Sequence, residues 1–148
     1  MTKKSATVYM RRQQFLIHAL SRTTDGVWLL SEPCSALAIE CDDRGLGSAI
    51  RRALDGSLAE VPHPSSWNHV FEPMLSLAGV TTWKAFATGA ACIQIETDGN
   101  HVVLIPQTSR GPKEGFEPDL ARAATLESAS AEELGRIARQ LLFDGNRS

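Results

Sequence analysis

The chain has 148 residues and a mass of 16.1 kDa, the size of one domain with a single hydrophobic core. Charged residues make up 22% and hydrophobic residues 43%, so the composition excludes a disordered or fibrous protein. The formal net charge of -2 excludes nucleic-acid binding driven by bulk charge.

The cysteines and the apolar runs predict the compartment. Cys34, Cys41 and Cys92 are an odd number without paired spacing, which favours reduced thiols over a disulfide framework. The apolar run of a secretory signal is interrupted early by Arg11–Gln14. No apolar run approaches the roughly 20 residues needed to span a bilayer. We therefore expect a cytoplasmic protein without membrane contact.

The first part of the chain carries β signals. Thr7–Met10 is β-prone, whereas Phe15–Leu20 fits a strand or a helix equally well by periodicity. Val27–Leu30 has the pattern of a short buried strand. The following Ser31-Glu32-Pro33 is expected to end this strand. Leu37–Cys41 alternates as a second strand.

Two amphipathic helices are predicted, near residues 45–55 and 131–142. In each, apolar residues recur at i, i+3, i+4, i+7 and i+8, which places them on one helical face. Asp42 is expected to cap the first helix and Gly56 to end it in a left-handed conformation. Ser130 begins a capping box for the last helix.

These two helices share an unusual feature, a glycine directly after the leading leucine, in LGSAIRRALDG and LGRIARQLLFDG. The likeness is consistent with an internal duplication or with shared packing constraints. A glycine within a helix costs on the order of 1 kcal/mol relative to alanine. Its presence in both helices predicts that each helix crosses its sheet closely at that point.

The middle of the chain predicts a turn, a helix and a hairpin. Val61–Trp67 contains two prolines and is a rigid turn, followed by a helix near 66–78 that Gly79 ends. Ala91–Ile95 and His101–Ile105 form a β-hairpin around an Asp-Gly-Asn turn. Pro106 is expected to end the hairpin, and residues 107–118 to form a long surface loop.

The elements together predict a single α+β domain over residues 1–148, in which an antiparallel or mixed sheet packs against about three helices. The terminal residues 1–5 and 145–148 are expected to be flexible.

No motif predicts catalysis, a cofactor or a metal site. The four histidines, His18, His63, His69 and His101, lack partners at a recognised spacing. Gly45-Leu46-Gly47 lacks the third glycine of a dinucleotide fingerprint and follows two aspartates that would repel a phosphate. Two alternatives remain open: a small hydrolase that uses His63 with a nearby carboxylate, and a non-catalytic adaptor domain.

An ordered set of segments carries a family resemblance. LGSAIRRAL, the VPHPSSW turn, MLSLAGVTTWKAF and EELGRIARQLL resemble the immunity proteins of bacterial contact-dependent growth inhibition systems. The likeness spans about residues 27–142. It implies a small cytoplasmic protein that neutralises the C-terminal toxin domain delivered by a neighbouring cell, usually a nuclease, by stoichiometric binding. It implies no cofactor, nucleic acid or small-molecule substrate.

Acidic side chains are the predicted contacts for such a toxin. A nuclease presents a basic cleft, so carboxylates on the inhibitor would speed association and set specificity. Two groups of carboxylates are candidates: Glu40, Asp42 and Asp43 before the first long helix, and Glu114, Glu117 and Asp119 late in the chain. For Asp42 and Asp43, helix capping is the competing interpretation. The three tryptophans are expected to be core residues and are not candidates.

Overall fold

The computed structural model describes residues 3–111, 113–127 and 129–145. These residues form a seven-stranded antiparallel sheet, four α-helices and one short 3-10 helix, which confirms the predicted α+β fold. The strands are β1 (Lys4–Arg11), β2 (Gln14–Arg22), β3 (Trp28–Ala38), β4 (Ala91–Thr97), β5 (Val102–Ser109), β6 (Phe116–Pro118) and β7 (Ala124–Leu126). The helices are α1 (Asp43–Asp55), α2 (Glu72–Ala78), α3 (Trp83–Ala87) and α4 (Ala131–Gly145), with the 3-10 helix at Leu120–Arg122.

The sheet has the order β3-β2-β1-β4-β5-β6, and β7 also pairs with β5. The segment Phe15–Leu20, which periodicity left open, lies in β2, and the weak β signal at Thr7–Met10 lies in the central strand β1. Residues 1–5 were expected to be flexible, but Ser5 in β1 is fully buried. Residues 1–2 and 146–148 of the expected flexible termini lie outside the described residues.

One face of the sheet, which we call the helix face, is covered by α1 and α4. Alternate residues of β1, β2 and β4 point to this face because side chains alternate along a strand. They pack against the apolar stripes predicted for the two long helices. The fully buried side chains there are Val8, Phe15, Ile17, Leu46, Ile50, Ile93, Ile95, Leu104 and Leu142.

The helix pair crosses at its two glycines. A Cβ on Gly47 would lie 1.7 Å from the carbonyl oxygen of Ala131, and one on Gly135 would lie 1.8 Å from that of Asp43. The prediction of a close approach at each glycine is therefore correct, but the predicted partner, the sheet, was wrong. The helices approach each other at these positions, and the sheet is not the surface that requires glycine.

The opposite face, which we call the aromatic face, is covered by the short helices α2 and α3. Its core contains Tyr9 and Leu16 from the sheet, Met74 from α2 and Phe86 from α3. Half-buried rings from Phe71, Trp83 and Phe116 pack around them. Five aromatic rings therefore pack together with aliphatic side chains on this face.

Two strands continue past the prolines that were expected to end them. β3 runs through Pro33 because Glu32 and Pro33 form a bulge between the pairs His18–Cys34 and Ala19–Ser31. The Glu32-Pro33 peptide bond is cis. β5 runs through Pro106, which lies between the segments of β5 that pair with β7 and with β6. Pro33 is tolerated because it lies in the bulge, where the β2–β3 ladder is already interrupted. Pro106 lies within the β4–β5 ladder, opposite Ile93, but its carbonyl oxygen accepts from Asp119 N on the other side of β5, so its missing N–H faces away from β4.

The second predicted helix was too long. Residues 66–67 have no regular structure and residues 68–71 form a turn. The helix α2 begins at Glu72 with Pro73 in its first turn, where a missing N–H costs nothing. Gly79 ends α2 in the left-handed conformation, as predicted. The helix α3, capped by the Thr82 side chain, was not predicted.

Both predicted N-terminal caps are present. The Asp42 carboxylate accepts a hydrogen bond from Gly45 N at 2.7 Å, and the Ser130 hydroxyl accepts one from Glu133 N at 3.1 Å. Gly56 was expected to be left-handed, but its φ is -80°. Glycine is required there for space, because a Cβ would lie 2.4 Å from Pro33 Cδ.

Candidate functional site

The first acidic group lies after β3 and is partly committed to the fold. Asp42 caps α1, and Asp43 Oδ1 accepts a hydrogen bond from Arg139 Nε at 2.9 Å. Arg139 also donates to the carbonyl oxygens of Ile39, at 2.8 Å, and Cys41. This guanidinium therefore ties α4 to the segment that leads into α1. Glu40 is exposed, and no other described residue contacts its carboxylate through a hydrogen bond or ion pair.

The second acidic group lies at and after β6. Glu114 is exposed in the turn after β5. Glu117 lies in β6, where Arg110 donates from Nε and Nη2 to Glu117 Oε2 at 2.8 Å. Asp119 is half-buried, and its Oδ2 lies 3.9 Å from Arg122 Nη1. Half of residues 107–118, expected to form a loop, lie in strands, since β5 continues to Ser109 and Phe116–Pro118 form β6.

The structure does not bring the two acidic groups together. The first group follows β3 and the second lies on both sides of and within β6, and these strands lie at opposite edges of the sheet. Five strand spacings of about 4.8 Å separate them, or roughly 24 Å. A single small contact patch therefore cannot use both groups.

A third candidate site is a groove on the aromatic face, which was not predicted from the sequence. The cavity has a volume of about 250 Å³. Its lining combines β1, β2, β3, the turn before α2 and the start of α3, and consists of Tyr9, His18, Leu30, Trp67, Val70, Phe71 and Trp83. Trp67 is 46% exposed, although all three tryptophans were expected to be core residues. The one signal that could have indicated this is its place after the rigid VPHPSS turn.

His18 is buried beneath this groove in its neutral form. Only 4% of the residue is exposed, and desolvation lowers the pKa of the ring from 6.5 to about 4. Its Nδ1 lies 2.9 Å from the carbonyl oxygen of Ala19, so Nδ1 carries the proton and Nε2 is an acceptor. No described residue donates to Nε2, yet the atom is not sealed from solvent.

Tyr9 has a similar environment. The residue is 8% exposed, and burial raises the pKa of its hydroxyl well above the usual value. The ring centroids of Tyr9 and His18 are 6.0 Å apart. Its hydroxyl makes no hydrogen bond with the described residues and, like His18 Nε2, is not sealed from solvent. In a groove lined by rings, two polar atoms of largely buried side chains therefore have no partner among the described residues.

A larger cavity of about 560 Å³ lies between the C-terminal end of α1, α4 and the β4–β5 turn. Three of its charged side chains make hydrogen bonds within the fold. Lys4 Nζ lies 3.4 Å from the carbonyl oxygens of Asp55 and Ser57, and Arg51 donates to that of Ala129. Asp98 accepts from two amides of its own turn, which lowers the pKa of its carboxyl group. This cavity offers a weaker recognition signal than the groove.

The hydrolase alternative depends on His63. Its Nδ1 lies 3.4 Å from Asp25 Oδ2 and 3.2 Å from Thr23 Oγ1, so the sequence alternative did find a real histidine–carboxylate pair. The pair is solvated, since 66% of the Asp25 side chain is exposed. Within the described part of the chain, no hydroxyl or thiol makes a hydrogen bond to the second ring nitrogen of His63. The geometry lacks the nucleophile that this chemistry needs.

Comparisons with known proteins define the class of the fold. No family model matches the chain, and no curated protein matches it in sequence. Solved structures do match, and the fold is that of a chain from a toxin and immunity complex. This confirms, at the level of the fold, the resemblance seen in the sequence motifs.

Two solved structures are similar over almost the whole chain. One is the CdiA-CT/CdiI toxin and immunity complex from Yersinia pseudotuberculosis, with a TM-score of 0.78, 13% identity and coverage of 98% of both chains. The other is a protein of unknown function, NMB0488 from Neisseria meningitidis, with a TM-score of 0.79 and 16% identity, covering 97% of this chain and 95% of that one. Within the described residues, no helix is long and apolar enough to cross a membrane.

Proposed function

We propose that this protein is the immunity protein of a contact-dependent growth inhibition system, and that it neutralises a toxin domain by stoichiometric binding in the cytoplasm. The observation that carries the proposal is the likeness to a chain of a toxin and immunity complex over 98% of both chains. The sequence motifs point independently to the same family. Neutralisation proceeds by binding alone, without catalysis or a cofactor.

The toxin in this proposal is a nuclease, and the exposed carboxylates help to attract it. A basic cleft that binds nucleic acid also attracts acidic side chains, chiefly by raising the association rate. Glu40 is the best placed of the candidates because its carboxylate is exposed and uncommitted among the described residues. Asp43 is less suitable because Arg139 already pairs with it.

The test is co-purification of the chain with its cognate toxin domain, followed by an assay of toxin activity. We expect an equimolar amount of this protein to abolish nucleic-acid cleavage, and the pair to elute as one complex. If the toxin remains fully active at a small molar excess of this chain, the proposed function is wrong.

The electrostatic part is tested by Glu40→Lys, measured as the association rate at several salt concentrations. We expect slower association and a weaker salt dependence, with an unchanged melting temperature. Glu114→Lys, at the opposite edge of the sheet, tests the second acidic group in the same way. An unchanged rate in both variants would remove the acidic residues from the proposal while leaving neutralisation itself in place.

A further inference from the structure

The aromatic groove has the size of a site for one side chain. Its volume of about 250 Å³ is below the range of roughly 300–1,000 Å³ that is usual for sites of drug-sized ligands and cofactors. It is open to solvent at Trp67, which is 46% exposed. A protruding residue of a protein partner can therefore enter it.

The polar atoms in the groove can accept hydrogen bonds from a ligand. His18 Nε2 is an acceptor, and the Tyr9 hydroxyl can accept as well as donate. Neither has a partner among the described residues, and both atoms are reached by solvent, so a ligand in the groove must replace their hydrogen bonds to water. An apolar side chain in the groove would shut both atoms away from water without replacing their hydrogen bonds.

The aromatic rings of the groove favour a cation. Phe71 and Trp83 have ring centroids 5.0 Å apart, and the Phe71 centroid is 6.0 Å from that of Tyr9. Aromatic faces attract cations. The groove lining contains no lysine or arginine. Among the neighbouring charged residues, Glu32 is an exposed carboxylate two residues from Leu30, Glu72 is paired with His69, and Lys84 follows Trp83.

We propose that the groove receives an arginine side chain of the toxin domain, which stacks on the rings and donates to His18 Nε2 and the Tyr9 hydroxyl. This inference rests on the proposed function. Arginine fits better than lysine because its guanidinium is planar, carries five donors and is weakly hydrated, so it stacks on rings while donating in plane. A carboxylate would meet the His18 acceptor.

The test measures the dissociation constant of the full-length chain and its cognate toxin domain. Tyr9→Phe removes one hydroxyl that has no partner among the described residues, so a merely structural role predicts no loss of stability or binding. We expect about tenfold weaker binding, because a hydrogen bond to a charged group is lost. Trp67→Ala should weaken binding at least about tenfold. Leu120→Ala, a 72% exposed apolar residue near the opposite sheet edge, is the control and should bind as the unmodified chain does.

The arginine is identified on the toxin side. Each toxin arginine is replaced in turn by lysine, which keeps the charge and removes the planar fork. We expect one replacement to weaken binding to the unmodified chain but to have little further effect on Tyr9→Phe, as a double-mutant cycle requires for direct partners.

Each outcome decides a different statement. If Tyr9→Phe and Trp67→Ala both bind like the unmodified chain, the groove is not part of the interface and the inference is overturned. If both weaken binding but no toxin arginine is coupled to Tyr9, a different side chain occupies the groove, which also overturns it. If the unmodified chain fails to bind the toxin at all, the proposed function itself has failed.

Discussion

The two faces of the sheet are covered by different kinds of structure and are buried to different degrees. On the helix face, two long helices meet backbone to backbone at Gly47 and Gly135 and seal a fully apolar core. On the aromatic face, two short helices and a proline-rich turn leave a groove with the polar atoms of His18 and Tyr9 beneath it.

This difference separates stability from recognition within one sheet. Where backbone meets backbone at the two glycines, a larger residue cannot be accommodated without disturbing the fold, because neither backbone can rotate away. The aromatic face carries the exposed ring of Trp67 and two polar atoms that solvent reaches and that have no partner among the described residues, so a binding partner can contact them. Changes on the helix face should therefore alter the free energy of unfolding, and changes in the groove should alter binding.

The largest expected effect is that of Gly47→Ala. Alanine normally stabilises a helix relative to glycine by up to about 1 kcal/mol, but here its Cβ would overlap the Ala131 carbonyl oxygen, at 1.7 Å. A backbone atom cannot rotate away, so the helices must separate, and we expect a loss of more than about 4 kcal/mol in denaturant unfolding. Gly145→Ala, with no atom within 4 Å of the added Cβ, is the control. Equal stability of the two variants would contradict a backbone-closed helix face.

The second-largest expected effect is a loss of stability at acidic pH, caused by His18 on the aromatic face. The pKa of His18 is lowered from 6.5 to about 4 in the folded chain. Between these two pH values the ring is therefore protonated in the unfolded chain and neutral in the folded chain. Stability from the neutral ring is complete above pH 6.5 and falls by about 3 kcal/mol as the pH drops to 4. Tyr9 and Cys34, which lie beside the ring, stay neutral throughout because burial raises the pKa of each.

The measurement is urea unfolding of the unmodified chain and of His18→Phe between pH 7 and pH 4. The variant should lose less stability over this interval, since its ring cannot take up a proton. An identical pH dependence in both proteins would show that other groups control acid stability.

A third, smaller effect is expected from Arg139→Ala. The guanidinium makes hydrogen bonds to Asp43 Oδ1 and to two main-chain carbonyl oxygens, and it lies 5.1 Å from the ring centroid of Phe15. Loss of these contacts should lower the free energy of unfolding by about 2 kcal/mol in thermal or denaturant unfolding. Arg136→Ala, at an exposed position on the same helix, should stay within about 0.5 kcal/mol. If the two variants were equally stable, Arg139 would not be what holds α4 to the start of α1.

Much of the fold could be predicted because its signals are local. The caps Asp42 and Ser130, the terminator Gly79 and the β4–β5 hairpin depend on residues within a few positions of one another. The prolines were misread for the same reason. Whether Pro33 ends a strand or forms a bulge depends on how β2 pairs with it, which no local pattern records.

The candidate site could not be predicted because its parts are distant in the sequence. Tyr9, His18 and Trp67 meet only after the sheet and the proline-rich turn have formed, and each alone has the pattern of a core residue. Likewise, Asp43 and Arg139 are 96 positions apart, so the ion pair between them could not be predicted from local sequence patterns. The likeness to immunity proteins was recognisable because it spreads over many packing residues, none of which had to be a site residue.

The smallest effect tests whether Asp42 belongs to the fold or to the binding surface. Its carboxylate caps α1 at 2.7 Å from Gly45 N, and asparagine caps a helix about as well as aspartate. Asp42→Ala should therefore cost about 1 kcal/mol in unfolding, whereas Asp42→Asn should be neutral within a few tenths. Asp42→Asn removes the charge and keeps the cap, so a slower association with the toxin in this variant would make Asp42 a contact. Unchanged association of Asp42→Asn, together with the stability loss in Asp42→Ala, would assign this residue to the helix alone and leave Glu40 as the acidic candidate beside it.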